Sequence, residues 1–290
     1  MDSTVTALTP GVHQVEIDGV RQVYHVAGAG PICLVHSGGP GMSWDYLRIP
    51  ALETHLTMVY LEPIGTGASG RLADPREYRI DTYARFVHGV LEHLGVPRAY
   101  LLGHSHGGFV AQRYALQHPD RVAGLILFAT SPVTGAEFWA DAMANLQKVP
   151  ARLPHRPEAA GLPAAFQQAL AATDDDTLTE RMRQVLPAYF ADYWAQEAEI
   201  APGFATFRAW TAPSGGEEPA PFDVRAALGS LAVPALVISG EHDFICGVRW
   251  GRMLHEALPK SQLLELDCGH MAHLERPQAF TRAVVDFVGG

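Results

Sequence analysis

Cysteine is scarce in this chain: Cys33, Cys246 and Cys268 are odd in number, far apart and without a C-x-x-C pair. That pattern excludes a disulfide framework and a cysteine-built zinc site, and it reads as three reduced core thiols. Long apolar runs are also missing; none could span a bilayer, and Met1 to Pro10 has neither a basic residue nor a signal-type apolar stretch. A soluble, cytoplasmic protein with no membrane partner is the expectation. Positive charge is in deficit, with 21 Lys+Arg against 31 Asp+Glu, a net charge of −10 and a pI near 5.7. Phosphate contacts need a basic face, so no nucleic-acid partner is expected. The sequence holds no G-x-x-x-x-G-K-[ST], and His104, His106 and His242 have no carboxylate or cysteine at ligand spacing. Neither a cofactor nor a metal is therefore expected.

What is present is enough apolar material, 48% of 290 residues, for one large domain or a domain plus a cover. Val12 to Ile17 and Arg21 to Val26 alternate in polarity around Asp18-Gly19, which predicts a hairpin. Pro31 to Val35 is a continuous apolar run that predicts a strand covered on both faces, and strands are also predicted at 57–61, 98–102, 122–129, 234–239 and 262–266. Helices are predicted around Trp44 to Thr54, over Thr82 to Leu94 with Asp81 as N-cap, over Phe109 to Gln117, near Val248 to Ala257 and from Pro277 to Val288. Residues 131 to 222 differ in character, being Ala-rich, aromatic and broken by prolines, with six basic against twelve acidic residues and no strand pattern. The alternation predicts an α/β fold whose mostly parallel central sheet has helices on both faces. Its core is 1–130 with 223–290, and 131–222 is an inserted helical cap.

Gly103-His104-Ser105-His106-Gly107 follows one predicted strand and precedes a helix, the context of a G-x-S-x-G nucleophile elbow. A serine hydroxyl needs a base, and the base needs an acid to hold its tautomer. Cys268-Gly269-His270 follows a strand directly, which makes His270 the candidate base and His273 the neighbouring alternative. Asp243, at a strand end between Ser105 and His270 in chain order, is the candidate acid, with Glu241 as its alternative. The backbone amides of His106, Gly38 and Gly39 are candidates for an oxyanion hole.

Ser105, Asp243 and His270 in this order, with a helical insertion between the sheet halves, resemble the α/β-hydrolase superfamily. Within it, Gly38-Gly39-Pro40-Gly41 is similar to the H-G-G-P-G loop of the proline iminopeptidases, and Glu275-Arg276-Pro277 after His270 resembles that group's base loop. Three positions depart: Ser37 stands where that group has histidine, Glu62 to Ser69 lacks its Gln and Arg, and His106 replaces its elbow aromatic. The resemblance implies a serine hydrolase acting through an acyl-enzyme on a small ester, lactone or amide, with prolyl aminopeptidase as a subtype and a small molecule or short peptide as substrate. A cofactor-free lyase or a non-catalytic binding protein on the same fold is the alternative. Recognition of a substrate amine would fall to Glu197 and Glu199; Trp44 is a candidate substrate contact, and Phe138, Trp139, Phe190, Tyr193, Trp194, Phe204, Phe207 and Trp210 are expected to build the cap's own core and an apolar acyl or ring pocket. Oligomeric state is not legible.

Overall fold

Asp18 (φ 52°) and Gly19 (φ 76°) both adopt left-handed backbone, so the Asp-Gly pair closes a tight hairpin between β1 (Gly11–Ile17) and β2 (Val20–Ala27). The computed structural model describes residues 7–215 and 221–290. Its sheet has eight strands, completed by β3 (Ile32–His36), β4 (Thr57–Leu61), β5 (Ala99–His104), β6 (Val122–Phe128), β7 (Ala235–Gly240) and β8 (Ser261–Leu266). The order is β1-β2-β4-β3-β5-β6-β7-β8; β1–β2 and β2–β4 are antiparallel and every other pairing is parallel. β4 and β7 are buried along their whole length and β3 nearly so, as strands covered on both faces must be.

From β3 the chain moves to β4 on one side and then to β5 on the other. A crevice therefore opens between the carboxyl ends of β3 and β5, where open α/β sheets place their ligands. The flanking helices are α1 (Ile80–His93), α2 (His106–Gln117), α6 (Val248–Ala257) and α7 (Pro277–Gly289), with α3 (Ala136–Leu146), α4 (Leu162–Leu170) and α5 (Asp175–Val185) between β6 and β7. Two local expectations are corrected. Asp81 is not an N-cap: α1 starts after Arg79, and the Asp81 carboxylate instead accepts from Gln117 (2.8 Å) and pairs with Arg113 (3.3 Å) on α2. The stretch 44–54 is not one helix, because Ile49 before Pro50 takes extended backbone and separates a turn at Asp45–Leu47 from Pro50–Glu53.

Among the described residues, 131–222 contributes helices, turns and isolated bridges but no strand. Phe138, Phe190, Phe204 and Phe207 form its buried interior. It is joined to the loop after β3 by backbone bonds: Trp210 N–H donates to Gly41 (2.7 Å) and Ser43 N–H to Arg208 (2.9 Å).

Candidate active site

Ser105 stands between β5 and α2 with φ 52° and ψ −117°, a conformation that strains any residue with a side chain. Its surroundings hold it there. Ser105 N–H donates to Phe128 (3.0 Å), and the Ser105 carbonyl accepts from Gly108 N–H (2.9 Å) and the Thr130 hydroxyl (2.7 Å). A Cβ on Gly103 would collide with the Gly107 backbone, and one on Gly107 with the His36 carbonyl, so both elbow glycines are sterically required. The Ser105 side chain does not cap α2, although it sits at the N-cap. The positive end of the helix dipole lies directly behind it.

Asp243 follows β7 and His270 follows β8, and both are almost fully buried. Asp243 Oδ1 accepts the amides of Ile245 (2.9 Å) and Cys246 (3.0 Å), which leaves Oδ2 facing His270 Nδ1 at 2.7 Å. With Nδ1 so engaged, Nε2 is the ring atom left for other work. The His270 backbone N–H donates to the Tyr189 carbonyl (2.7 Å). His270 and Ser105 line one small cavity together with Gly38, Gly39, Tyr46 and His104. The two alternatives lie elsewhere. Glu241 is exposed, and His273 is buried with Nε2 donating to the Tyr46 carbonyl (2.9 Å), its burial lowering its pKa to about 4.

One oxyanion candidate is corrected: the Gly38 N–H already donates to the Tyr46 hydroxyl (2.8 Å). Gly38 contributes closeness instead, since a Cβ there would sit 2.9 Å from the Tyr46 hydroxyl and 3.1 Å from Ser105 Cβ. The Tyr46 hydroxyl in turn meets His104 Nδ1 (2.7 Å), and His104 Nε2 meets the His270 carbonyl (3.1 Å). A carbonyl can only accept, so Nε2 carries the proton, Nδ1 accepts from Tyr46, and Tyr46 accepts from Gly38. This chain joins the loop after β3 to the backbone of His270 through a neutral imidazole. Burial, then the neighbouring His270 and His273, hold the His104 pKa well below its usual value. The His106 side chain points away from the cavity, edge-on to Tyr83 (ring centroids 5.1 Å apart), and burial lowers its pKa to about 3. Its amide, the first of α2, has no intrahelical acceptor.

Of the aromatic residues expected to build a pocket, Phe204 and Phe207 line this cavity; Trp44, Tyr193, Trp194 and Trp210 do not. Trp44 stacks on His25 (4.0 Å), Tyr193 packs against Phe190 (5.5 Å) and Trp194 (6.2 Å), and Trp210 is anchored by its backbone to Gly41. Glu197 and Glu199 are exposed on a four-residue helix and also lie outside it. The other apolar walls are Met42, Met182, Leu186, Tyr189, Ile245 and Met271. Sequence reasoning also missed the roles of Tyr46, His104 and Glu275. Glu275 accepts Gly269 N–H (2.7 Å) with one oxygen and Ala191 N–H (2.8 Å) with the other. Among the described residues, Glu241, His242 and Asp267 form an exposed cluster of potential metal donors in which His242 Nε2 already pairs with Asp267 (2.8 Å).

A strained serine at a strand-to-helix turn, over a parallel sheet and beside a buried aspartate–histidine pair, defines a hydrolase class. The profile of the alpha/beta hydrolase fold family matches residues 30–277, and the chain belongs to that family. It is 29% identical over 277 residues to the 2-hydroxymuconate semialdehyde hydrolase of Pseudomonas sp. (strain CF600), covering 93% of this chain and 91% of that one. With the 3-oxoadipate enol-lactonase 2 of Acinetobacter baylyi it shares 28% over 250 residues, covering 86% and 85%. The crystal structure of the enol-lactonase from Burkholderia xenovorans LB400 superposes with a TM-score of 0.70 at 24% identity, over 96% of this chain and all of that one, a likeness of fold. These relatives support a hydrolase acting on small molecules; they do not support the iminopeptidase subtype.

Proposed function

We propose that this chain is a serine hydrolase that cleaves a neutral, apolar ester or lactone through an acyl-enzyme. The observation that carries the reading is the buried Asp243–His270 pair at 2.7 Å, whose imidazole lines one cavity with the strained Ser105. In this mechanism His270 Nε2 takes the Ser105 hydroxyl proton as Oγ attacks the carbonyl carbon, and Asp243 stabilises the imidazolium. The oxyanion is met by the amides of His106 and Gly39. His270 then returns its proton to the departing alkoxide, and water, activated the same way, releases the acid. Residues 131–222 act as the cap that closes over Ser105.

Apart from the His104 and His270 imidazoles and the Tyr46 and Tyr189 phenols, whose burial keeps them protonated, no ionisable side chain lines the cavity among the described residues, so a substrate ammonium finds no carboxylate there. That favours the ester and lactone reading over recognition of an N-terminal amine. Purified protein should hydrolyse p-nitrophenyl acetate and butyrate, label with a fluorophosphonate probe, and release nothing from proline p-nitroanilide. Ser105→Ala should abolish both hydrolysis and labelling; a variant that still labels would place the nucleophile elsewhere.

A further inference from the structure

The cavity at Ser105 measures about 60 Å³, far below the roughly 300–1,000 Å³ of ordinary small-molecule sites. It is a narrow space against the nucleophile. Directly beside it lies a cavity of about 460 Å³. Five residues, Gly39, Met42, Met182, Tyr189 and Ile245, line both, so the two spaces adjoin along a shared wall in which Met42 and Met182 are the flexible side chains. The larger cavity is apolar: Phe166 and Ala169 from α4 and Leu178 from α5 form its wall, and the hydroxyl of Thr211 is already donated to Asp175 (2.8 Å). Its lining also includes Trp139 and Leu170, which are 42% and 59% exposed. Large apolar side chains left in water at the edge of an apolar cavity mark where an apolar ligand enters.

We infer that this second cavity is the binding chamber for an apolar chain of the substrate, entered between Trp139 and Leu170 and communicating with Ser105 past Met42 and Met182. The inference rests on the hydrolase reading above and names the substrate class: esters of medium-length aliphatic acids or alcohols, not acetyl-sized ones. Methionine suits the partition, because an unbranched thioether with three rotatable bonds can swing aside and re-pack along an alkyl chain. Each methylene that enters the chamber leaves water, which is worth about fourfold in kcat/KM.

The test compares p-nitrophenyl acetate, butyrate, hexanoate and octanoate with wild-type protein and with Ala172→Trp and Leu178→Trp, two positions that line the chamber but not the Ser105 cavity. Ala172 is half-buried, so the indole should block the chamber without breaking the fold, which circular dichroism checks. Wild-type kcat/KM should rise at least a hundredfold from acetate to octanoate, and each variant should cut the octanoate-to-acetate ratio tenfold or more. Ester hydrolysis with a flat chain-length profile, or the same ratio in both folded variants as in wild type, overturns the chamber and leaves the hydrolase reading standing. Calorimetric titration of Ser105→Ala protein with methyl hexanoate separates the two claims: binding that Ala172→Trp weakens tenfold supports the chamber even without turnover, and no binding overturns it.

Discussion

In the proposed mechanism, the hydrogen bonds of Asp243 decide which imidazole nitrogen of His270 faces Ser105. Its Oδ1 is committed to the two amides of Ile245 and Cys246, which can only donate. In Asp243→Asn the side-chain oxygen must stay on those amides, so the NH₂ group turns toward His270 Nδ1 and makes that nitrogen an acceptor. The imidazole proton then sits on Nε2, the wrong atom for accepting the Ser105 proton. We expect kcat on an ester to fall by about 10³–10⁴ with a melting temperature close to wild type, because every backbone bond survives. Steady-state kinetics beside calorimetry checks this; a loss under tenfold would show that Asp243 does not set the tautomer.

The secondary elements explain what the sequence could disclose. Strands β3 to β7 follow from apolar runs and β8 from the shorter strand pattern of Gln262 to Leu266, while the elbow follows from glycines whose absent Cβ atoms are sterically demanded, so local text sufficed. The same holds for Asp243 and His270, each placed directly after a strand. The pocket was not legible, because its walls combine Met42 after β3, Met182 and Leu186 around α5, and Ile245 after β7, residues brought together only by tertiary packing. The aromatic residues of 131–222 predict an apolar pocket, but nothing local shows that Phe204 and Phe207 would reach the cavity and that Tyr193, Trp194 and Trp210 would not. Glu275 stood out only through the base-loop resemblance; its role was hidden because its partners Gly269 and Ala191 belong to the base loop and to the helical segment. The adjoining Tyr189 carbonyl accepts His270 N–H (2.7 Å), and the Phe190 carbonyl accepts from Arg152 (3.1 Å), which also donates to the His242 carbonyl (2.8 Å), so Tyr189 and Ala191 directly, and Phe190 through Arg152, fasten that segment to the loops after β7 and β8. Glu275→Gln would set an NH₂ donor against one of the two amides, leaving a buried donor unsatisfied at a cost of about 1–3 kcal/mol. The expected result is a melting temperature lower by roughly 2–5 °C together with a several-fold lower kcat; Glu275→Gln with wild-type stability would remove this latch.

At the scale of the whole molecule, the buried histidines set how the protein tolerates acid. Burial lowers His36 and His273 to about 4 and His106 to about 3, and it lowers His104 strongly as well. In the unfolded chain all four titrate near their ordinary value of about 6.5. Below that pH the unfolded chain takes up protons that the folded one refuses, so stability falls as pH falls and is fully restored above about 6.5. Each histidine contributes at most about 1.4 kcal/mol per pH unit, so four approach about 5 kcal/mol per unit. Set against the roughly 5–15 kcal/mol that holds a domain together, this brings acid unfolding near pH 5. Urea unfolding followed from pH 7.5 to 5 should therefore show a steep loss of stability. His106→Phe keeps the backbone amide and replaces the imidazole with an apolar ring beside Tyr83 and Phe109. It should reduce the pH slope by about a quarter, roughly 1.4 kcal/mol per unit, while ester hydrolysis at pH 7.5 continues. An unchanged slope would mean that His106 becomes protonated without unfolding, and that the other three carry the acid sensitivity.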